Sequence, residues 1–180
     1  YSGMGPGMLG GTYSPDDIRF ATRDVVEKQG GIFVRDKVER IDPDKREIYT
    51  QTGKTFSYEV LSFNAGSYVP MQAAHENSNN IYPVKPIEKL MEAADKLKVL
   101  FSQKKIMVSI VGGGPSSAEI AGNVRQLAKS VNKHMPDIRI FAGKKFMGRF
   151  PENVRSRIFS SLHNMGIQIL ETGYVKEIKQ

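Results

Sequence analysis

Apolar residues recur at two different spacings in the second half of this chain, and the change in spacing separates strands from helices. Residues 106–111 form a nearly continuous apolar run rich in β-branched residues, which is typical of a strand. After three glycines, apolar residues recur every three or four positions up to Val131, as on one face of a helix. A second strand is predicted over residues 137–142. This order predicts a βαβ unit with a parallel sheet.

The same alternation continues towards the end of the chain. Pro151 is placed to open a helix that ends at Gly166, and residues 167–170 are predicted to form a third parallel strand. Residues 175–178 are predicted to begin a further strand. Before the first strand, a helix is predicted from Pro86 to about Ser102.

The first third of the chain follows a different pattern. Residues 1–11 contain five glycines and are predicted to form a loop. Ser14 is predicted to cap a helix that runs to Gln29. Three strands are then predicted, separated by turn residues, and they favour an antiparallel meander; their bounds are 31–41, 46–50 and 55–63. Residues 72–84, with Asn77, Asn79 and Asn80, are predicted to form a connecting loop.

The glycines between the first apolar run and its helix are the main candidate for a binding site. Gly112 permits a tight turn, and Gly114 lets the backbone approach a pyrophosphate. The free N–H groups and the positive end of the helix dipole attract an anion. A structural glycine turn without a ligand is the alternative interpretation. The residues of the predicted site are Gly112, Gly113, Gly114, Pro115, Ser116, Ser117 and Glu119, with Ser117 where a third glycine often lies.

Composition narrows the function classes. The chain has 180 residues, 39% of them hydrophobic and 25% charged, as is normal for a globular protein that buries a core. It has no cysteine, so this chain offers no disulfide, thiolate metal ligand or cysteine nucleophile. Its net charge of +7 is concentrated in residues 106–180, which hold 11 Lys and Arg against 5 Asp and Glu. A dinucleotide carries negative phosphates, so this excess does not require a nucleic-acid partner.

The order of these elements resembles the two-dinucleotide-binding flavoprotein reductases of the pyridine nucleotide-disulfide oxidoreductase superfamily. The resemblance is carried by the helix, the meander, the strand that ends in Asn64-Ala65-Gly66-Ser67, and the Gly-Gly-Gly-Pro-x-x-x-Glu motif. The similarity is greatest to the branch of type II NADH dehydrogenases and sulfide:quinone oxidoreductases. It implies an α/β fold with an FAD- and NAD(P)-binding Rossmann-like parallel sheet and an antiparallel β-meander, incomplete at both ends.

The resemblance also implies a division into domains. Residues 1–83 are expected to be part of an FAD-binding domain, 84–105 a connecting helix, and 106–180 a truncated NAD(P)-binding domain. A chain that starts at Tyr1 within a loop is expected to be a piece of a longer protein. Ala65, Gly66 and Ser67 correspond to the corner that returns the chain to FAD. Glu119 is similar to residues near the nicotinamide, although a first-turn acid favoured by the helix dipole explains it equally well.

The choice of nicotinamide dinucleotide depends on the end of the second strand. An acid there normally accepts hydrogen bonds from the ribose 2′-OH of NAD, but this chain has Ala142 or Gly143 at that position. Lys144 and Lys145 follow and can pair with a 2′-phosphate, unless they only cover an exposed turn. NAD and NADP therefore both remain open.

The predicted function is that of a fragment of an FAD-dependent NAD(P)H oxidoreductase, inactive by itself, whose parent passes a hydride from nicotinamide to flavin. The alternative is a non-enzymatic NAD(P)-binding regulatory or sensing module. The expected partners are the nicotinamide dinucleotide, FAD and an electron acceptor such as a quinone, with no nucleic acid. A cytoplasmic location, with peripheral membrane association or a homodimer in the full protein, fits this resemblance. His75, His134 and His163 are too scattered to predict a metal site or a catalytic base.

Overall fold

The computed structural model describes residues 2–70 and 80–178. The chain forms two compact units. The first unit contains the residues up to Arg19 and those from Ser67 onward, and the second unit contains Phe20–Gly66. His75, Asn77, Asn79 and most of the connecting loop predicted over 72–84 lie outside the described residues.

The regular elements begin with a short 3₁₀ helix, Ser2–Met4. The helices are α1 (Gly5–Leu9), α2 (Thr22–Lys28), α3 (Glu88–Gln103), α4 (Pro115–Val131) and α5 (Glu152–Asn164). The strands are β1 (Val38–Asp42), β2 (Glu47–Thr50), β3 (Thr55–Ser57), β4 (Met107–Val111), β5 (Asp137–Phe141) and β6 (Gln168–Leu170). This α/β architecture, with one parallel and one antiparallel sheet, confirms the predicted fold class.

The parallel sheet belongs to the first unit and has the order β4-β5-β6. Val111 pairs with Phe141, and Phe141 pairs with Leu170, so the carboxyl ends of the three strands lie at one edge. The α4 helix follows β4, and its buried positions recur every three or four residues, as the sequence predicts. The helix ends at Asn132, which has a left-handed φ of 54°. Asparagine tolerates this conformation at a helix end.

The glycine-rich start of the chain is helical, and its prediction as a loop is wrong. The α1 helix has Pro6 in its first turn, and Leu9 is 2% exposed in the core. A Cβ at Gly5 would lie 3.0 Å from the side chain of Ile87, and one at Gly10 would overlap Asn123 on α4. Glycine weakens an isolated helix, but here it allows α1 to approach its neighbours closely, and the burial of Met8 and Leu9 offsets the cost.

The predicted helix over 15–29 begins later than expected. The Ser14 N–H and hydroxyl both donate to a carboxylate oxygen of Asp17 at 2.7 Å, so the predicted cap closes a single turn. Ile18 is then buried in the core of the first unit at 4% exposure. The α2 helix starts only at Thr22, within the second unit, and ends at Lys28 as predicted. The local hydrogen bonds of Ser14 and Asp17 are sufficient for a turn without a helix.

The antiparallel meander is confirmed, with the order β1-β2-β3. Its outer strands are shorter than predicted, because only residues 38–42 and 55–57 pair with β2 in the described part of the chain. Residues 174–177 form no strand, so the further strand predicted over 175–178 is wrong there. An isolated bridge joins Gly143 to Gly173 instead. The domain bounds at residues 83 and 105 stay a prediction.

Candidate dinucleotide site

The glycine turn connects β4 to α4 at the carboxyl edge of the parallel sheet. Gly112 has a φ of +134°, which side chains other than glycine's rarely adopt, and its N–H donates to the carbonyl of Phe141 at 3.0 Å. Gly114 is the N-cap of α4, with φ −88° and ψ 177°, and Pro115 opens the helix. The strand end and the helix start are therefore joined by three glycines, as the sequence predicts.

Gly113 packs against the end of the neighbouring strand. A Cβ at this position would overlap the carbonyl oxygen of Ala142 and would lie 3.0 Å from its carbonyl carbon. The carbonyl of Gly113 accepts a hydrogen bond from the N–H of Met147 at 2.6 Å. Gly113 therefore serves internal packing, and the β5–α5 loop, residues 142–151, contacts the glycine turn directly.

Gly114 faces open space. A Cβ built there meets nothing within 4 Å. Within the described part of the chain, the N–H groups of Gly113, Gly114 and Ser116 have no hydrogen-bond partner, and Gly114 and Ser116 are exposed. Unpartnered N–H groups at a helix start are the donors that bind phosphate. The turn therefore has both the donors and the room that a pyrophosphate requires.

The two remaining predicted residues of this helix differ in their surroundings. Ser117 is 6% exposed, and its hydroxyl donates to the carbonyl of Gly114 at 2.5 Å, so this side chain supports the turn from inside. Glu119 is exposed and is the fifth residue of α4, beyond the first turn, where the dipole effect fades. The dipole explanation of Glu119 is thereby weakened.

The end of β5 contains no acid. The strand ends at Phe141, and the next residue, Ala142, is 6% exposed. Gly143 has a φ of 76° and carries the chain into the loop. Lys145 lies 3.6 Å from a carboxylate oxygen of Glu152, whereas Lys144 is exposed and has no ion pair among the described residues. Lys144 is therefore the lysine that is available to a ligand.

Sequence reasoning missed an ionic cluster that holds this loop. Glu171, which follows β6, accepts the N–H of Phe146 at 2.6 Å and a guanidinium N–H of Arg155 at 3.0 Å. The Phe146 hydrogen bond and then the Arg155 guanidinium hold the pKa of Glu171 below its ordinary value, against the opposing effect of burial. The sequence could have indicated this cluster, because Glu171 follows a predicted parallel strand and ligands bind at the carboxyl edge of parallel sheets.

The chain passes from the second unit to the first within the corner that is predicted to meet FAD. Ala65 and Gly66 end the second unit, and Gly66 has a φ of 76°, which suits a sharp corner. Ser67 begins the first unit, and its hydroxyl accepts a hydrogen bond from the ammonium of Lys85 at 2.8 Å. Ser67, which is predicted at the corner, is thus in contact with Lys85 within one unit.

Other classes of site receive no support from the described residues. Within 2–70 and 80–178, no group of three or more His, Cys, Asp or Glu is placed to hold a metal ion. No helix in these ranges is both long enough and apolar enough to cross a bilayer.

Comparison with known families and structures finds proteins that are similar to this chain. A model of the pyridine nucleotide-disulphide oxidoreductases matches residues 6–180. No curated protein matches the sequence. The sulfide:quinone oxidoreductase of the hyperthermophilic bacterium Aquifex aeolicus is similar in structure, with a TM-score of 0.80 and 19% identity over 99% of this chain and 44% of that protein.

Two structures determined with NADH are also similar. The NDH2 of Plasmodium falciparum has a TM-score of 0.74 and 17% identity over 99% of this chain and 42% of that protein. The water-forming NADH oxidase of Lactobacillus brevis has a TM-score of 0.68 and 20% identity over 94% of this chain and 37% of that protein. At these identities the likeness shows the fold, and this chain spans less than half of each protein.

Proposed function

The chain belongs to the pyridine nucleotide-disulphide oxidoreductase family, and we propose that its glycine turn binds the pyrophosphate of a nicotinamide dinucleotide in an FAD-dependent oxidoreductase. The family match confirms the resemblance inferred from the sequence. The observation that carries the proposal is the set of N–H groups at Gly113, Gly114 and Ser116 that have no partner among residues 2–70 and 80–178, beside the open space at Gly114.

Each residue of the turn has a distinct part in this proposal. The N–H groups donate to the pyrophosphate, and the positive end of the α4 dipole adds to the attraction. Gly114 keeps the space in front of these donors free of a side chain. Ser117 holds the Gly114 carbonyl and so stabilises the first turn of the helix. Glu119, exposed one turn further along, is proposed to lie towards the nicotinamide.

The loop after β5 is proposed to receive the adenosine ribose. With Ala142 in place of an acid, the site loses a hydrogen-bond acceptor for a 2′-OH and also the repulsion of a 2′-phosphate. Lys144 is exposed and unpaired among the described residues, so it can approach such a phosphate. We therefore propose that NADPH is accepted as well as NADH.

When bound, the two cofactors would supply the redox chemistry, a hydride transfer from nicotinamide to flavin, while this chain would hold and orient them. Ala65, Gly66 and Ser67 are proposed to lie near FAD, with Lys85 holding the Ser67 hydroxyl. A quinone as electron acceptor is proposed by analogy with the sulfide:quinone oxidoreductase fold.

The experiment is a calorimetric titration of the purified chain with NADH and with NADPH. The visible spectrum of the same sample reports bound flavin. Saturable binding of either dinucleotide, competed by ADP, is expected. Gly122→Ala is the matched control, because Gly122 lies on α4 with open space around it and outside the turn. Failure of both dinucleotides to bind at millimolar concentration would refute the proposal. Flavin colour after addition of FAD would favour the oxidoreductase over the non-enzymatic module.

A further inference from the structure

The loop between β5 and α5 is held by a partly buried arginine. Arg155 on α5 has a side chain that is 17% exposed, and its Nε donates to the carbonyl of Phe146 at 2.9 Å. Its two terminal nitrogens donate to Glu152 at 2.8 Å and to Glu171 at 3.0 Å. Glu171 in turn accepts the N–H of Phe146. Arg155 and Glu171 thus hold both the N–H and the carbonyl of Phe146, and we name this pair the loop clamp.

Met147, which follows Phe146, connects the loop clamp to the glycine turn. Phe146 and Met147 are buried, at 0% and 3% exposure, and Met147 has a φ of 50°. The N–H of Met147 donates to the carbonyl of Gly113 at 2.6 Å. Because Met147 directly follows the residue that the clamp holds, any loosening of the clamp shifts the donor that fixes Gly113.

The Gly113 carbonyl belongs to the same peptide plane as the N–H of Gly114. In a trans peptide the carbonyl and the N–H point in opposite directions, and rotation out of the plane is costly. The hydrogen bond from Met147 therefore turns the Gly114 N–H away from the loop and leaves it without a partner among the described residues. This N–H is one of the donors assigned to the pyrophosphate above.

We propose that Arg155 and Glu171 are positioning residues for dinucleotide binding, which act through Phe146 and Met147 on the direction of the Gly114 N–H. The inference rests on the proposed function of the glycine turn. It adds a determinant of affinity that lies outside the turn itself. Neither side chain needs to contact the dinucleotide for this role.

The test measures the Kd of NADH for Arg155→Met, Glu171→Gln and the double variant. Each single variant is expected to raise Kd about tenfold, or about 1.4 kcal/mol. The double variant should exceed a single variant only slightly, because both side chains act on one peptide. Arg157→Met is the matched control on the same helix, since Arg157 is exposed and has no partner among the described residues. Its Kd should equal that of the unmodified chain.

A general loss of stability has to be separated from positioning. Leu162→Ala removes a buried side chain of α5 that is 4% exposed and outside the clamp. If Arg155→Met raises Kd no more than Leu162→Ala does at a similar free energy of unfolding, the positioning role is wrong. If Arg155→Met does not fold, Arg155→Lys is measured in its place, because lysine keeps the charge but cannot make the three contacts of the planar guanidinium. It should show an intermediate Kd.

Hydrogen exchange gives a readout that needs no ligand. The amide of Met147 is expected to exchange faster in Arg155→Met than in the unmodified chain, with the interior of α4 unchanged. Unchanged exchange at Met147 would overturn the inference. If the unmodified chain binds no dinucleotide, the proposed function fails, and the positioning role fails with it. If the unmodified chain binds and the clamp variants bind equally well, only the positioning role is overturned.

Discussion

Replacement of Gly114 by alanine tests whether the open space at this residue is needed for dinucleotide binding rather than for folding. The backbone at Gly114, with φ −88° and ψ 177°, suits alanine, and the added Cβ meets nothing within 4 Å. Alanine is a poorer N-cap than glycine, so the free energy of unfolding should fall by at most about 1 kcal/mol. The same methyl group, however, would stand in front of the free N–H donors.

The expected loss of binding follows from the hydrogen bonds at stake. A hydrogen bond to a charged group contributes about 1.5–3 kcal/mol. Loss of one such bond at Gly114 would therefore raise the Kd of NADH about ten- to a hundredfold. The assay is calorimetric titration of the variant and the unmodified chain, with urea unfolding of both proteins.

Two other glycines provide the contrast for this prediction. Gly113→Ala would place its Cβ against the backbone of Ala142, so we expect it to lower stability by about 1–3 kcal/mol and to weaken binding too. Gly122→Ala should raise stability by up to about 1 kcal/mol and leave Kd unchanged. If Gly114→Ala binds NADH as tightly as the unmodified chain does, the pyrophosphate does not lie at this turn.

Three further predictions concern charge and packing. Lys144→Ala should raise the Kd of NADPH about fivefold in calorimetric titrations and leave the Kd of NADH unchanged, because a solvent-screened charge pair with the 2′-phosphate is lost. Lys145 already lies near Glu152, so an equal effect of Lys145→Ala would contradict the assignment of Lys144. Glu171→Gln should lower the free energy of unfolding by about 1 kcal/mol at pH 7, since its carboxylate is still 31% exposed. Because the folded pKa of Glu171 is lowered, this contribution is complete above the ordinary value of 4.5 and is lost as the pH falls through the folded pKa. The difference from the unmodified chain in urea unfolding should therefore be smaller in acid than at pH 7. Phe101→Ala should lower the free energy of unfolding in urea by about 3–5 kcal/mol, because Phe101 is 0% exposed. Val99→Ala on the same helix should lower it by less than about 0.5 kcal/mol, because Val99 is 52% exposed. Comparable losses in the two variants would contradict the placement of α3.

The parts of the fold that could be predicted are those whose local signals and tertiary packing agree. The run before Gly112 predicts β4, and the spacing of apolar residues up to Val131 predicts α4. The α4 helix buries the face that its periodicity marks, whereas β4 buries only Ile110 and leaves Met107 and Val111 exposed. The glycine turn between them was predictable too.

The glycine-rich start of the chain shows where local signals fail. Five glycines in eleven residues oppose a helix when the segment is considered alone. In the folded chain, the same glycines give α1 a surface without side chains, and Ile87 and Asn123 occupy that space. Small size in a packed core and freedom in a loop produce the same sequence pattern. Only the position of α3 and α4 distinguishes the two cases.

The candidate site combines both kinds of information. The donors at Gly113, Gly114 and Ser116 follow from a local motif, but the direction of the Gly114 N–H depends on Met147, which is 33 residues away in the sequence. No spacing rule connects these residues, because the contact arises only when β4 and β5 pair in parallel and the loop after β5 folds back. A motif therefore predicts which atoms bind an anion, whereas the neighbouring strand and its loop determine where those atoms point.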